Sequence, residues 1–293
     1  MLLLVTLCPA PLWAANVLCG GLDDTAAIQA ALDAARIARG GVVQLPLGTC
    51  RVRALNGRDL AGVRIEGVTA YGTLLMPLES GGIVLDLTGS YDVTLARFLM
   101  GNGNQPGAPM PLVGLLTAQA DERTPTSNLI HLDQVVTQGS FAWAAWLNLG
   151  VASSTVMRSQ FYNYTAGVGS VVFIAHNWMG LVSPFGPLMA GDFPPTDWTL
   201  TGVEIHNMAG GVALWLGGAD SLRFFGGNLS VNGSPWFVTV NVAGTWPTGP
   251  NLIFDGTTFY TDDGSVPRCL IQSNQGTFAA HLRATYLGVP AYC

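Results

Sequence analysis

The chain has 293 residues, of which 49% are apolar and only 10% charged, and its formal net charge is −6. All twelve cations are arginine. No basic run is present to build a nucleic-acid surface, and a chain this apolar buries too much surface to be intrinsically disordered.

In chain order, Leu2, Leu3, Leu4, Val5 and Leu7 form a short apolar run, and Ala10 to Ala15 supply small residues. This is the pattern of a secretory signal peptide, residues 1–15, cut after Ala14 or Ala15. The run falls far short of the roughly 20 apolar residues of a membrane span, and no later segment reaches that length. Of five cysteines, Cys8 would leave with the signal. Cys19, Cys50, Cys269 and Cys293 remain, two near each end, which suggests Cys19–Cys50 and Cys269–Cys293 out of three possible connectivities. No C-x-x-C occurs, so neither a zinc site nor another resident metal or cofactor is expected. Export, to the medium, periplasm or cell surface, fits such a disulfide set.

Asp24 to Arg39 is the one convincing helix. Asp24 is a good N-cap residue, Ile28, Leu32 and Ala35 share a face, and Gly40-Gly41 ends it. The stretch DDTAAIQAALDAA, followed by GGVVQLPLGTCRV, closely resembles the opening of pectate-lyase-like proteins. That resemblance implies an all-β fold, a right-handed parallel β-helix whose N-terminal end is capped by the helix. It also implies a polysaccharide substrate class. A solenoid end exposes core and unpaired backbone, which an amphipathic helix can cover.

The remainder reads as an irregular repeat of short alternating strands, each led by a small polar residue. Examples start at Asp92, Asn128, Thr155, Ser221 and Asn251, with weaker copies at Gly202 and Ala280. Spacings of roughly 20 to 45 residues suit solenoid coils with variable loops, and no internal linker divides residues 16–293. Gly101 to Thr126 and Ser183 to Asp197 are rich in Gly or Pro, so they are expected as loops walling a cleft rather than central strands.

No zincin, nucleophile-elbow, Walker or EF-hand motif is present. Of the polygalacturonase-type motifs only Asp262-Asp263 appears, within a turn-like Thr-Asp-Asp-Gly-Ser. Candidate site residues therefore come from the repeat. Taking Leu95, Leu132, Met157, Ile205, Phe224, Phe254 and Leu282 as inward positions leaves outward columns that carry three of the four histidines. The columns collect Asp133, Glu204, His206 and Asp255 as candidate catalytic groups. His131, Arg158 and Arg223 are candidate substrate-binding groups. Asp133 with Glu204, or Asp255 with Glu204, would form the carboxylate pair of a glycosidase. The arginines would hold an acidic sugar. Trp236 and Trp246, each next to a proline, are candidate sugar platforms, whereas most other Trp are expected to fill core or loops. Asn163 and Asn228 head N-glycosylation patterns. The expectation is a secreted polysaccharide hydrolase or lyase. The alternative is a non-catalytic β-helix serving as a glycan-binding or structural surface module.

Overall fold

The computed structural model describes residues 14–120, 128–175, 180–188, 194–241, 250–275, 278–285 and 290–293. The expected signal segment up to residue 13, together with Trp178 and Trp246, lies outside the described residues. Ala14 and Ala15, the expected cleavage positions, pair in parallel with Val42 and Val43.

Every ladder between named strands is parallel, and the chain winds as a right-handed β-helix with three faces. The first face runs from Gly41–Gln44 through Val63–Glu66 to Leu222–Phe225 and Ala279–Thr285. The second runs from Gly48–Val52 and Thr73–Pro77 through Gln160–Asn163 and Glu204–Asn207 to Asn228–Val231. Three long strands, Val93–Gly103, Ile130–Gly139 and Asn251–Tyr260, bend and serve both faces. The third face is an eight-stranded sheet from Leu55–Asn56 to Cys269–Gln275.

Corners between first and second faces use left-handed backbone at Arg97, Gln134, Arg158, Gly202, Gly226 and Gly256. A second series of left-handed corners, at Asp92, Leu129, Ser153, Asp197 and Ser221, precedes the first-face strands. Asp tolerates this conformation better than most residues because its short side chain bonds locally. Of the small polar residues that lead the repeats, Asp92 and Ser221 are thus corner residues, whereas the corners next to Asn128 and Thr155 fall at Leu129 and Ser153. At Gly227, φ is 77° and an added Cβ would run into the Val203 carbonyl, so only glycine fits.

The interior is a stack of matched rungs. Leu95, Leu132, Val156, Leu200, Phe224, Phe254 and Leu282 face one another in register along the first face. Met157 is therefore not inward, as the repeat alignment has it. Val156 fills the core, and Met157 is 44% exposed. Ile205 is inward, but on the second face, between Phe161 and Leu229. Trp146, Phe161, Phe173 and Trp198 fill the middle of the core. Trp198 is fully buried, donating its indole N–H to the Val151 carbonyl at 2.7 Å.

The helix spans Thr25–Ala38 and buries Ile28, Ala31, Leu32 and Ala35 over the first coil. Asp24 is the N-cap residue as expected, but its side chain makes no cap bond to the helix; the preceding Asp23 accepts the Thr25 backbone N–H at 3.0 Å. The Asp24 carboxylate accepts backbone N–H groups of Gly20, Gly21 and Arg51, tying the helix start to Gly48–Val52. Asn56 sits on the open edge of the third face. Its N–H goes to Gln29, and its carbonyl receives Gln29 and Arg36 side chains. The helix thus covers exposed edge groups as well as core. Disulfides join Cys19 to Cys50 and Cys269 to Cys293, stapling both ends.

Two expectations need correction. Gly101 to Thr126 is not all loop: Val113–Ala118 is a wholly buried central strand of the third face. Its Val-Gly-Leu-Leu-Thr-Ala run is apolar on both faces, as a strand covered on both sides must be. The described part of Ser183 to Asp197 lies on the N-terminal coils, where Pro184 helps line a pocket with Pro77, Glu79, Gly82 and Pro111 that includes none of the candidate site residues. Ser183 reaches Asp86 at 2.5 Å, and Arg58 donates to the Phe185 and Gly186 carbonyls, anchoring the segment on the N-terminal coils.

Phe254 stacks on Phe224 at 4.7 Å and meets Phe259 edge-on at 5.3 Å. Phe254→Ala should cost about 3–5 kcal/mol of unfolding free energy. Phe225→Ala, on the outward side of the neighbouring strand Leu222–Phe225, should change it by less than about 0.5 kcal/mol. Chemical denaturation of both variants checks the inward register.

Candidate functional site

The second face brings together the ionisable groups with the most perturbed surroundings. In register across its rungs, Gln138, Tyr162, His206, Ser230 and Tyr260 form one column. Gln160, Glu204, Asn228 and Thr258 form the column beside it. Alternation along each strand fixes this arrangement. Phe161, Ile205, Leu229 and Phe259 point inward, so their neighbours on either side point out.

His206 lies at the centre and is only 3% exposed. Its ring stacks on Tyr162 at 4.3 Å and meets Tyr260 edge-on at 5.7 Å. The Glu204 carboxylate is 3.9 Å from Nε2, and the Asp262 carboxylate is 3.9 Å from Nδ1. Tyr162 donates its hydroxyl to Glu204 at 2.9 Å, and Ser230 donates to Asp262 at 3.2 Å. Tyr260 Oη is 3.5 Å from His206 Nε2. Towards the N-terminal coils, Tyr71 donates to the Gln160 side-chain carbonyl, and Gln138 donates to Tyr164 Oη at 2.6 Å.

Burial pushes the His206 pKa below its usual 6.5, outweighing the opposing pull of Glu204 and Asp262. The imidazole is therefore neutral near neutral pH. Burial, then the hydrogen bond to Glu204, pushes the Tyr162 phenol far above its usual range. Burial likewise raises Tyr71 and Tyr260, helped by the nearby carboxylates. Strongly perturbed groups gathered on one face mark a functional-site candidate.

The residues expected in one groove are divided between two faces. Glu204 and His206 belong to this cluster, whereas Asp133, Asp255, His131, Arg158 and Arg223 belong to the first face or its corner. The repeat alignment treated Met157 and Ile205 as equivalent rungs, when a corner at Arg158 separates two strands within each coil. On the first face Asp133 is held by Arg158 at 2.7 Å, and Asp255 lies 3.7 Å from Arg283. Arg223 lies 3.7 Å from Asp197, and His131 Nδ1 is 2.7 Å from Thr155 Oγ1. Trp236 is half-buried against the outer apolar layer of the third face. Asn163 is fully buried, its side chain bonded to the backbone of Phe141 and Thr165, so it is no glycan acceptor.

Tyr71, Tyr162, Tyr164, Tyr260 and Asp262 were absent from the sequence-derived candidates. The pattern Gln160-Phe161-Tyr162 against Glu204-Ile205-His206 reveals Tyr162 once those two strands are aligned with each other, and Asn228-Leu229-Ser230 against Thr258-Phe259-Tyr260 adds Tyr260. Asp262 sits in a turn, which hides it from the strand pattern, yet that turn lies just past Tyr260 and points its carboxylate back across the rungs. Among the described residues no group of His, Cys, Asp and Glu has metal-binding geometry.

No protein-family model matches the sequence, and no curated protein does. Solved structures do. The enzymatically active domain of tailspike protein 2 from bacteriophage CBA120 superposes with a TM-score of 0.62 at 15% identity. The match covers 95% of this chain and 46% of that one. An alginate lyase from Paenibacillus sp. FPU-7 gives 0.59 at 13% identity, covering 95% and 97%. The ORF18 protein of Geobacillus virus E2 gives 0.51 at 13% identity, covering 94% and 62%. The chain spans less than half the length of the tailspike 2 structures that it matches. These likenesses establish the fold, the parallel β-helix expected from the N-terminal motif.

Because the His206 pKa is depressed, the native state refuses a proton that the unfolded chain takes up near 6.5. Stability linked to His206 is therefore complete above that value and is lost as pH falls below it. His206→Gln should remove this component, so the stability gap between parent and variant should shift in the variant's favour on acidification. Denaturation curves of the pair across that pH range check the sign.

Proposed function

We propose that the chain is a secreted carbohydrate-active enzyme that cleaves polysaccharide by glycoside hydrolysis on its second face. The observation that carries this reading is the pair Glu204 and Asp262, set on opposite sides of a buried, neutral imidazole. The bounding distances put the two carboxylates no more than about 10 Å apart, compatible with the ~6.5–9.5 Å spacing that leaves room for an attacking water. One carboxyl protonates the glycosidic oxygen as the bond to the anomeric carbon breaks. The other takes a proton from the water that attacks that carbon, so the reaction inverts configuration. Tyr162 and Ser230 hold the two carboxylates in place by hydrogen bonds. His206 fixes the spacing between them.

The relatives in fold support the substrate class: one is named an alginate lyase and another the enzymatically active domain of a tailspike. Elimination is the second reading, favoured by the 3.5 Å contact of Tyr260 with His206, a ready acid and base. It needs a group to neutralise the uronate carboxylate, and the charges acting on Tyr162, His206 and Tyr260 are those of Glu204 and Asp262. Hydrolysis is the better fit. Two disulfides and the apolar N-terminal segment support export, with residues 1–15 as the signal and 16–293 as one β-helix unit.

Purified protein should release reducing ends from at least one polysaccharide in a broad panel, without the ultraviolet absorbance of unsaturated products. Glu204→Gln and Asp262→Asn should each lower turnover by about two or more orders of magnitude. Asp133→Asn and Asp255→Asn, on the first face, should leave it within about twofold of the parent. Loss of activity on the first-face changes alone would move the site there. Retention of a polymer without cleavage would instead indicate a non-catalytic glycan-binding module.

A further inference from the structure

The second face differs from the first in its charge as much as in its aromatic content. From Val93 onward the arginines on the first face and its corners are engaged by acids: Arg97 by Glu66, Arg158 by Asp133, Arg223 by Asp197 and Arg283 by Asp255. From Gln138 to Tyr260 the two outward columns of the second face contain none; Arg51 stands on the first coil, where it reaches the Gly21 carbonyl. Between Gln138 and Tyr260 they hold Gln160, Asn228, Ser230 and Thr258 among the tyrosines, with Glu204 their one acid. Asp262 adds a second negative charge from the adjoining turn. His206 brings no compensating charge at neutral pH.

Resting on the reading of this face as a polysaccharide site, we infer that it takes an uncharged glycan, with Tyr71 and Tyr164 forming a sugar-stacking subsite towards the N-terminal coils. A polyuronate carries a carboxylate on every residue, and each would approach Glu204 and Asp262, which no cation among the described residues pairs. Like charges at such distances repel, and because Asp262 is exposed and Glu204 only partly buried, the repulsion is strongest at low salt and fades as salt screens it. A neutral pyranose meets no such penalty. Its hydroxyls find amide and hydroxyl partners on Gln138, Gln160 and Asn228, and its apolar face finds an aromatic ring. Tyr71 and Tyr164 suit the subsite because each ring is already fixed through its phenol, by Gln160 and Gln138 respectively. Little rotamer freedom is then lost on binding. Tyr71 is 63% exposed, the most accessible ring of the group.

Affinity electrophoresis of the purified full chain tests this. Gels carry either neutral polymers (dextran, galactomannan, xylan, mixed-linkage β-glucan) or polyuronates (alginate, polygalacturonate), at low and high salt. At least one neutral polymer should be retained about tenfold more tightly than either polyuronate, with an affinity that salt leaves unchanged. Tyr71→Ala and Tyr164→Ala should each weaken that retention by about fivefold or more while the melting temperature stays put. Removing both charges, in the Glu204→Gln/Asp262→Asn double variant, should raise polyuronate affinity by about fivefold at low salt and not at high salt. Retention of a polyuronate as tight as of any neutral polymer would overturn the inference, even if Glu204 and Asp262 prove essential for cleaving it. Failure to retain any polymer would overturn it too. Tight retention of a neutral polymer without cleavage would leave it standing and remove the hydrolytic reading instead.

Discussion

Parallel register is the constraint from which everything else in this structure follows. Adjacent coils sit about 4.8 Å apart, so each residue has one neighbour above and one below, and a column of like positions acquires a common environment. Leu95, Leu132, Val156, Leu200, Phe224 and Phe254 make a continuous core because each is stacked on the next. The same rule stacks Tyr162 directly on His206. That contact desolvates the imidazole and the phenol together. The chemistry of the candidate site is thus a consequence of register in a sheet, not of a specialised loop.

Both ends of the solenoid were readable from residues alone, because their signals are local. An amphipathic helix with its buried Ile28, Leu32 and Ala35, a GG-V-V opening and two cysteines at each terminus lie within a few tens of residues of one another. The inward column was mostly readable too, since Leu95, Leu132, Phe224 and Phe254 alternate with polar neighbours. What failed was the middle, where a rung contains two short strands rather than one. Thr155–Met157 and Gln160–Asn163 are separated by a left-handed Arg158, and Trp198–Thr201 and Glu204–Asn207 by Gly202. Both members of each pair alternate alike, so periodicity cannot tell which face a strand belongs to. A shift of one strand moves a whole side-chain set to another environment. Here it moved Glu204 and His206 away from Asp133 and Asp255.

The three faces carry different workloads. The third is apolar outside as well as inside: Leu116, Leu147, Leu149, Val172 and Ile174 form a second buried layer with Leu181 from the segment that returns across it. An ion pair underlies that return. Asp86 is fully buried, accepts Arg58 at 2.9 Å and Ser183 at 2.5 Å, and Arg58 holds two carbonyls of the covering segment. A buried carboxylate left without its arginine is costly, so Arg58 and Ser183 belong together as a latch on the covering segment. The opening left on this side is the pocket at Arg53, Pro77, Glu79, Pro111 and Pro184, which none of the candidate site residues lines.

Elimination then narrows the site further. The first face is open, but its ionisable groups are already paired along the stack, Asp133 with Arg158 and Asp255 with Arg283. Such cross-rung pairs use opposite charges to stabilise neighbouring coils, and a substrate would have to break them to use them. The second face alone combines openness with carboxylates whose hydrogen-bond partners are neutral phenol and hydroxyl groups. Those partners orient Glu204 and Asp262 without cancelling their charge, which is the condition a carboxylate must meet to move protons on a bound sugar. In a chain with one charged residue in ten, two acids that no cation among the described residues pairs mark this face more sharply than any motif does.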